Sequence, residues 1–128
     1  MKNIPQYIYH NVNVVRVIDG DTLVLEIDLG FGLTYKDTFR LNRINAPEIK
    51  GKQRELGLKV KYYIEARFGI YSSPDESNYS LKDISDYITK IQTFKKGKYG
   101  RYLCEVWVGG KNLSDELVEK KLAWYQDY

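Results

Sequence analysis

The sequence predicts a β-rich α+β domain with the order three strands, a helix, two strands and a helix. Three observations support this. Apolar and polar residues alternate along several short segments, one segment repeats its apolar residues at helical spacing, and Gly-rich turns separate the segments. Five strands with a helix between the third and fourth, and a second helix at the C-terminus, suit a small closed Greek-key barrel of the OB type. Closure of such a barrel removes exposed strand edges.

The first three strands are predicted from their side-chain patterns. Residues 12–18 are rich in β-branched side chains, and residues 23–29 alternate apolar with mostly polar side chains. Residues 34–44 continue as a third strand. Two turn sequences separate these strands, Asp19-Gly20-Asp21 and Gly30-Phe31-Gly32.

A helix is predicted over residues 53–68, where apolar side chains recur at helical spacing. Gly69 follows the last apolar residue and is typical of a helix C-terminus. Gly57 interrupts the helical sequence. The side chains expected on the buried face are Leu56, Val60, Tyr63 or Ile64, and Arg67 or Phe68.

The remaining segments predict a long loop over residues 70–85, strands at 87–94 and 102–108, and a last helix that ends near Leu122. Asn112 or Ser114 can cap this helix. Cys104 lies in phase with Val106 on the fifth strand, so we expect a buried structural thiol there.

Length and composition limit the functional classes. The chain has 128 residues and 43% hydrophobic residues, which is enough for one domain over residues 1–128 with a real core. No apolar run approaches the roughly 20 residues of a membrane span, and residues 1–13 lack the apolar stretch of a signal peptide. We therefore expect a cytoplasmic monomer without a membrane partner.

The charge is distributed unevenly, although the net charge is only +3. Residues 90–101 contain five cations and no acid, and cations also outnumber acids in residues 50–67. Such runs fit either solvated surface or contact with a polyanion, where lysines gain affinity by releasing counterions.

Three short clusters carry the chemistry that stands out. They are Ile18-Asp19-Gly20-Asp21-Thr22, the segment from Phe39-Arg40-Leu41 to Asn45-Ala46-Pro47-Glu48, and Lys98-Tyr99-Gly100-Arg101. Each alone fits an ordinary turn or surface segment. Together they supply hard oxygen ligands for a divalent cation, forked guanidinium donors for a phosphate and a carboxylate that can activate water.

On these motifs the chain resembles the staphylococcal nuclease (thermonuclease) family, from about Val14 to Ala123. The late Gly110-Lys111, Leu117-Val118 and Leu122-Ala123 pairs also fit the resemblance. The family has an OB barrel and cleaves DNA and RNA with Ca²⁺. The resemblance thus implies DNA or RNA as partners, and aromatic side chains near the site favour single-stranded regions.

The resemblance also implies residue roles. One Ca²⁺ ion, with Mg²⁺ or Mn²⁺ as alternatives, would bind Asp21, Asn45 and the backbone carbonyl of Ala46, with Asp19 behind Asp21. The other roles would be held by Glu48, which activates the attacking water, by Arg40 and Arg101, which stabilise the transition state, and by Lys98 and Tyr99, which contact a substrate phosphate.

Asn45 departs from the family, where an aspartate stands at this position. A carboxamide oxygen can ligate Ca²⁺ but carries no charge, and lower ligand charge weakens binding. Two functional classes therefore stay open: a Ca²⁺-dependent nuclease, and a catalytically weak or inactive OB-fold module that only binds nucleic acid. A DNA-interacting protein of a mobile element is a third interpretation.

Overall fold

The structure is a computed structural model, and it describes residues 7–70, 88–97 and 100–126. The predicted loop at 70–85 therefore lies almost entirely outside the described residues, as do Lys98 and Tyr99. The described elements are β1 (Tyr7–Tyr9), β2 (Val12–Asp19), β3 (Thr22–Gly30), β4 (Leu33–Leu41), β5 (Ile44–Asn45), a 3-10 turn (Gly51–Gln53), α1 (Arg54–Phe68), β6 (Ile88–Lys96), β7 (Tyr102–Val108), β8 (Lys111–Asn112), α2 (Leu113–Glu119) and β9 (Trp124–Tyr125).

Seven of the described strands form one sheet, in the order β1-β6-β7-β4-β3-β2 with β8 added to β7. All pairs are antiparallel except β4 with β7. This order is consistent with an OB fold. The sheet is open in the described part of the chain, since no ladder joins β2 to β6 although these strands lie close together. The predicted closure of the barrel is therefore not confirmed.

The strand count also differs from the prediction of five. The five long strands correspond to the predicted ones, but β1, β5, β8 and β9 are additional. These have only two or three residues, too few to produce a period in the sequence. The predicted third strand also ends early, because Arg43 has a φ of 71° and separates β4 from β5.

One face of the sheet and the inner face of α1 enclose the core. Val60, Ile64 and Phe68 of α1 are buried, and Gly69 closes the helix in the left-handed conformation, as predicted. Leu56 was expected on this face but is 56% exposed, because Gly57 takes the inward position. No helix in the described ranges is long and apolar enough to cross a membrane.

Helix α2 packs against β7 and begins at Asn112, one of the two caps that the sequence predicts. The Asn112 side chain accepts a hydrogen bond from the backbone N–H of Asp115, and Leu113 and Leu117 are fully buried. The predicted end at Leu122 is three residues too late. Cys104 is completely buried, and burial raises the pKa of its thiol, which fits the predicted structural role.

Candidate active site

The turn between β2 and β3 presents Asp19 and Asp21 at one end of the sheet. Gly20 is needed there, because a Cβ would come within 2.5 Å of the Val60 side chain and 2.8 Å of the Ala46 side chain. The backbone of Asp21 is fixed to β4, since its carbonyl accepts a hydrogen bond from Leu41 N at 2.8 Å. Packing of α1 against a glycine therefore determines where the Asp21 carboxylate lies.

Arg40, on β4, holds this carboxylate to the segment that follows. Its Nη2 lies 3.5 Å from Asp21 Oδ2 and donates a hydrogen bond of 2.6 Å to Asn45 Oδ1. Its Nη1 donates to the backbone carbonyls of Leu41 and Ile44, both at 3.1 Å. The Arg40 side chain is only 11% exposed. The structure thus gives Arg40 a positioning role, and its predicted catalytic role remains a prediction.

Strand β5 and the segment after it bring Asn45, Ala46 and Glu48 to the same end of the sheet. Ala46 N donates a hydrogen bond of 3.0 Å to Asp21 Oδ2, and Asn45 shares the Arg40 Nη2 with Asp21. Glu48 is exposed. Gly57 explains the break in the helical pattern of α1, because a Cβ there would collide with the backbone of Glu48. The glycine lets α1 support this segment closely.

Arg101 reaches the site from the turn before β7. Its Nη1 donates to Thr22 Oγ1 at 3.3 Å, and that hydroxyl donates to Asp21 Oδ1 at 3.0 Å. The Asp21 carboxylate and Thr22 hydroxyl therefore connect the guanidinium of Arg101 with that of Arg40. Thr22 is a site residue that the sequence analysis quoted but gave no role. Lys98 and Tyr99, expected to contact phosphate, are outside the described residues.

The carboxylates of the site repel one another. The pKa of Asp19 is raised by burial and by the negative charges of Asp21 and Glu48, while Arg101 and Lys50 act in the opposite direction. Asp19 therefore lies within electrostatic reach of all four charged groups.

Within the described ranges, no three His, Cys, Asp or Glu side chains form a group that could hold a metal ion. The predicted ligand set is of another kind. It has one carboxylate from Asp21, one carboxamide from Asn45 and one backbone carbonyl from Ala46.

Arg43 supports the site, although no motif in the sequence indicated it. Its guanidinium binds Glu105 through two hydrogen bonds of 2.6 and 3.0 Å, and it also donates to Asp115 at 2.9 Å and Asn112 at 3.1 Å. The hydrogen bond from Arg43 holds the pKa of Asp115 below its usual range. Tyr125 lies over the guanidinium and donates to Asp115. No periodic signal in the sequence marks such a network.

This network fixes the segment that carries Asn45. Strand β5 pairs with β9, with Ile44 opposite Tyr125 and Asn45 opposite Trp124, and Gln126 N donates to Arg43 O at 2.7 Å. Arg43 therefore joins the site segment to α2, β7 and the C-terminal strand.

Replacing Arg43 with glutamine should lower the free energy of unfolding by about 2 kcal/mol, because the buried Glu105 carboxylate loses two charged hydrogen bonds and keeps the one from Asn112. Urea unfolding of both proteins measures the difference. Arg16→Gln, at an exposed position of β2, is the matched control. A loss for Arg43→Gln no larger than that of the control would contradict the role of the network.

A family model described as staphylococcal nuclease homologue matches residues 38–128. The matched part contains Arg40, Asn45, Glu48 and Arg101, whereas the turn with Asp21 precedes it. A comparison with curated proteins finds no match.

Proposed function

Because the chain belongs to the staphylococcal nuclease homologue family, we propose that it hydrolyses the phosphodiester bonds of DNA, and of RNA as well, with one bound Ca²⁺ ion. At the coarser level that the family itself supports, the domain is a nuclease-type or nucleic-acid-binding module. The proposal adds catalysis, the metal and the residue roles.

One observation carries the proposal. Two guanidinium groups from different parts of the chain, Arg40 and Arg101, converge on the Asp21 carboxylate and Thr22 hydroxyl. A planar guanidinium suits two oxygens of a phosphate. Two such groups beside a carboxylate suit an anionic transition state next to a cation better than they suit a structural role alone.

The donor chemistry of the site fits Ca²⁺. Carboxylate, carboxamide and backbone carbonyl oxygens are its ordinary ligands, and Asp21, Asn45 and Ala46 would supply one of each. When bound, the ion would polarise the scissile phosphate as a Lewis acid. A single charged ligand predicts weak affinity.

Side chains of the protein would supply the proton transfer and the stabilisation of charge on the phosphate. Glu48 is exposed and lies near Asp19 electrostatically, so it would take the proton of a water molecule as that water attacks phosphorus. Arg101 would donate to the phosphate oxygens as their charge increases. Arg40 would contribute by exchanging one of its protein acceptors for a phosphate oxygen, since both of its Nη atoms already donate to the protein.

The alternative function is binding without cleavage. Two observations favour it. Asn45 is neutral, so the metal site has less negative charge than a second carboxylate would give. Arg40 also already contacts both Asn45 and Asp21, two of the proposed metal ligands. Glu48 argues against this alternative, because a binding module does not need a carboxylate at this position.

Cleavage decides between the two. Heat-denatured DNA should shorten on incubation with the protein in millimolar Ca²⁺ and stay intact in EDTA. A Glu48→Gln variant, which keeps the size of the side chain but removes its basicity, should bind the DNA and cut it much more slowly. Absence of cleavage with Ca²⁺, Mg²⁺ and Mn²⁺, with binding retained, would establish the binding module instead.

A further inference from the structure

A groove of about 980 Å³ opens beside the sheet, away from the cluster around Asp21. Its walls come from β1, β3, β4, β6 and β7. Six aromatic side chains line it, and nothing in the proposed hydrolysis uses them. They are Tyr7, Tyr9, Tyr35, Phe39, Phe94 and Tyr102.

Several of these rings form a row that ends in a cation. Tyr35 meets Phe39 edge to face at 6.5 Å, and Phe39 lies 6.3 Å from Tyr102. Lys96 Nζ lies 5.1 Å from the centre of the Tyr102 ring. Tyr35 is 40% exposed, and Lys95 is a second exposed cation at the rim. Phe39 is buried in the core, so the rings of this row that are open to a ligand are the exposed Tyr35 and the half-buried Tyr102. Accessible rings beside lysines suit flat, uncharged groups that are attached to phosphates.

Two residues of the groove are direct neighbours, along the chain, of the arginines of the site. Tyr102 directly follows Arg101, and Phe39 directly precedes Arg40 on the neighbouring strand. Since successive residues of a strand point to opposite faces, Phe39 and Arg40 lie on opposite sides of the sheet, and Arg101 reaches the same cluster as Arg40. A substrate strand held at Arg101 would therefore pass over the start of β7 to enter the groove.

We propose that this groove binds the unpaired bases of a single-stranded nucleic acid that lie next to the phosphate held by the arginines. The proposal rests on the proposed function. The Gln92 and Asn42 carboxamides in the groove offer both donors and acceptors to base edges. Paired bases are stacked inside a duplex and cannot enter, so the substrate class is single-stranded.

The test compares two probes of equal length and charge, a labelled single-stranded DNA oligonucleotide and the same oligonucleotide without bases. Dissociation constants are measured in EDTA, so that cleavage does not interfere. The parent protein should bind the natural oligonucleotide about tenfold more tightly than the abasic one, because each stacked base contributes to affinity. Tyr35→Ala and Tyr102→Ala should lose most of that difference and leave abasic binding unchanged.

The control variants separate stacking from folding. Tyr62→Ala removes an exposed tyrosine of α1 that is not part of the groove and should bind like the parent. Tyr35→Phe and Tyr102→Phe keep the rings and should retain the preference for the natural oligonucleotide. If Tyr102→Ala does not fold, the partly exposed Tyr35 still provides the alanine test.

Failure of the groove and failure of the nuclease give different results. Equal binding of both probes by the parent, or an unchanged preference in folded Tyr35→Ala, would overturn the groove while DNA cleavage stands. A base preference that depends on Tyr35 in a protein that cuts no DNA would support the groove and overturn the proposed hydrolysis.

Discussion

Replacing Arg101 with alanine should lower the turnover number on single-stranded DNA by about a hundredfold, because the phosphate loses a donor at the point where its charge increases. The side chain is partly exposed and contacts the Thr22 hydroxyl at 3.3 Å. We therefore expect the melting temperature to change little. Turnover under saturating substrate and thermal unfolding, measured on the same preparation, give the two quantities.

Conservative variants define what Arg101 supplies. Arg101→Lys keeps the charge but loses the fork, so it should recover only part of the turnover. Arg16→Ala, exposed on β2, should behave like the parent. Turnover within a factor of two or so of the parent in Arg101→Ala would show that this arginine does not act on the phosphate.

Arg40→Ala is expected to behave differently from Arg101→Ala. The resemblance to the nuclease family implied the same role for Arg40 and Arg101, but the Arg40 side chain is only 11% exposed and donates to Leu41, Ile44 and Asn45. Its removal should therefore lower both activity and melting temperature.

Replacing Asn45 with aspartate should lower the Ca²⁺ concentration for half-maximal cleavage by about tenfold. An added negative charge a few ångströms from the cation is worth on the order of 1 kcal/mol at a partly exposed site. In the metal-free protein Arg40 Nη2 lies between this position and Asp21, so it should absorb much of the new repulsion. Ca²⁺ should raise the melting temperature of the variant more than that of the parent.

Calorimetric titration of Ca²⁺ into both proteins measures this directly. Asn13→Asp adds the same charge at an exposed position near the other end of β2 and should leave Ca²⁺ affinity almost unchanged. Equal affinity in the parent and Asn45→Asp would mean that residue 45 is not a ligand and that this metal position is lost in the chain.

Most of the fold could be predicted from local patterns. The five long strands, α1, its Gly69 terminus and the Asn112 cap follow from periodicity and from the conformational preferences of single residues, and the structure contains them. Strands β5 and β9 could not be predicted, because two-residue strands have no period and exist only through pairing with each other.

The candidate site divides in the same way. Its residue types were readable in three motifs, and two of these, around Asp21 and around Arg40 to Glu48, meet in space. From the third, Arg101 reaches Thr22. Gly57 shows what a sequence pattern conceals. It looked like a weakness of the helix, yet the helix needs it to approach the backbone of Glu48.

The sequence by itself therefore determined the family, the order of the main elements and the chemical inventory of the site, because these depend on residue type and spacing along the chain. Only the tertiary structure decided that Arg40 links Asp21 with Asn45 through a side chain that is 11% exposed, whereas Arg101 contacts Thr22. The tertiary structure also decided that Arg43 anchors the segment from Arg40 to Asn45 by binding Glu105. Burial and hydrogen-bond partners arise from residues brought together over long distances in sequence, and no local pattern records them.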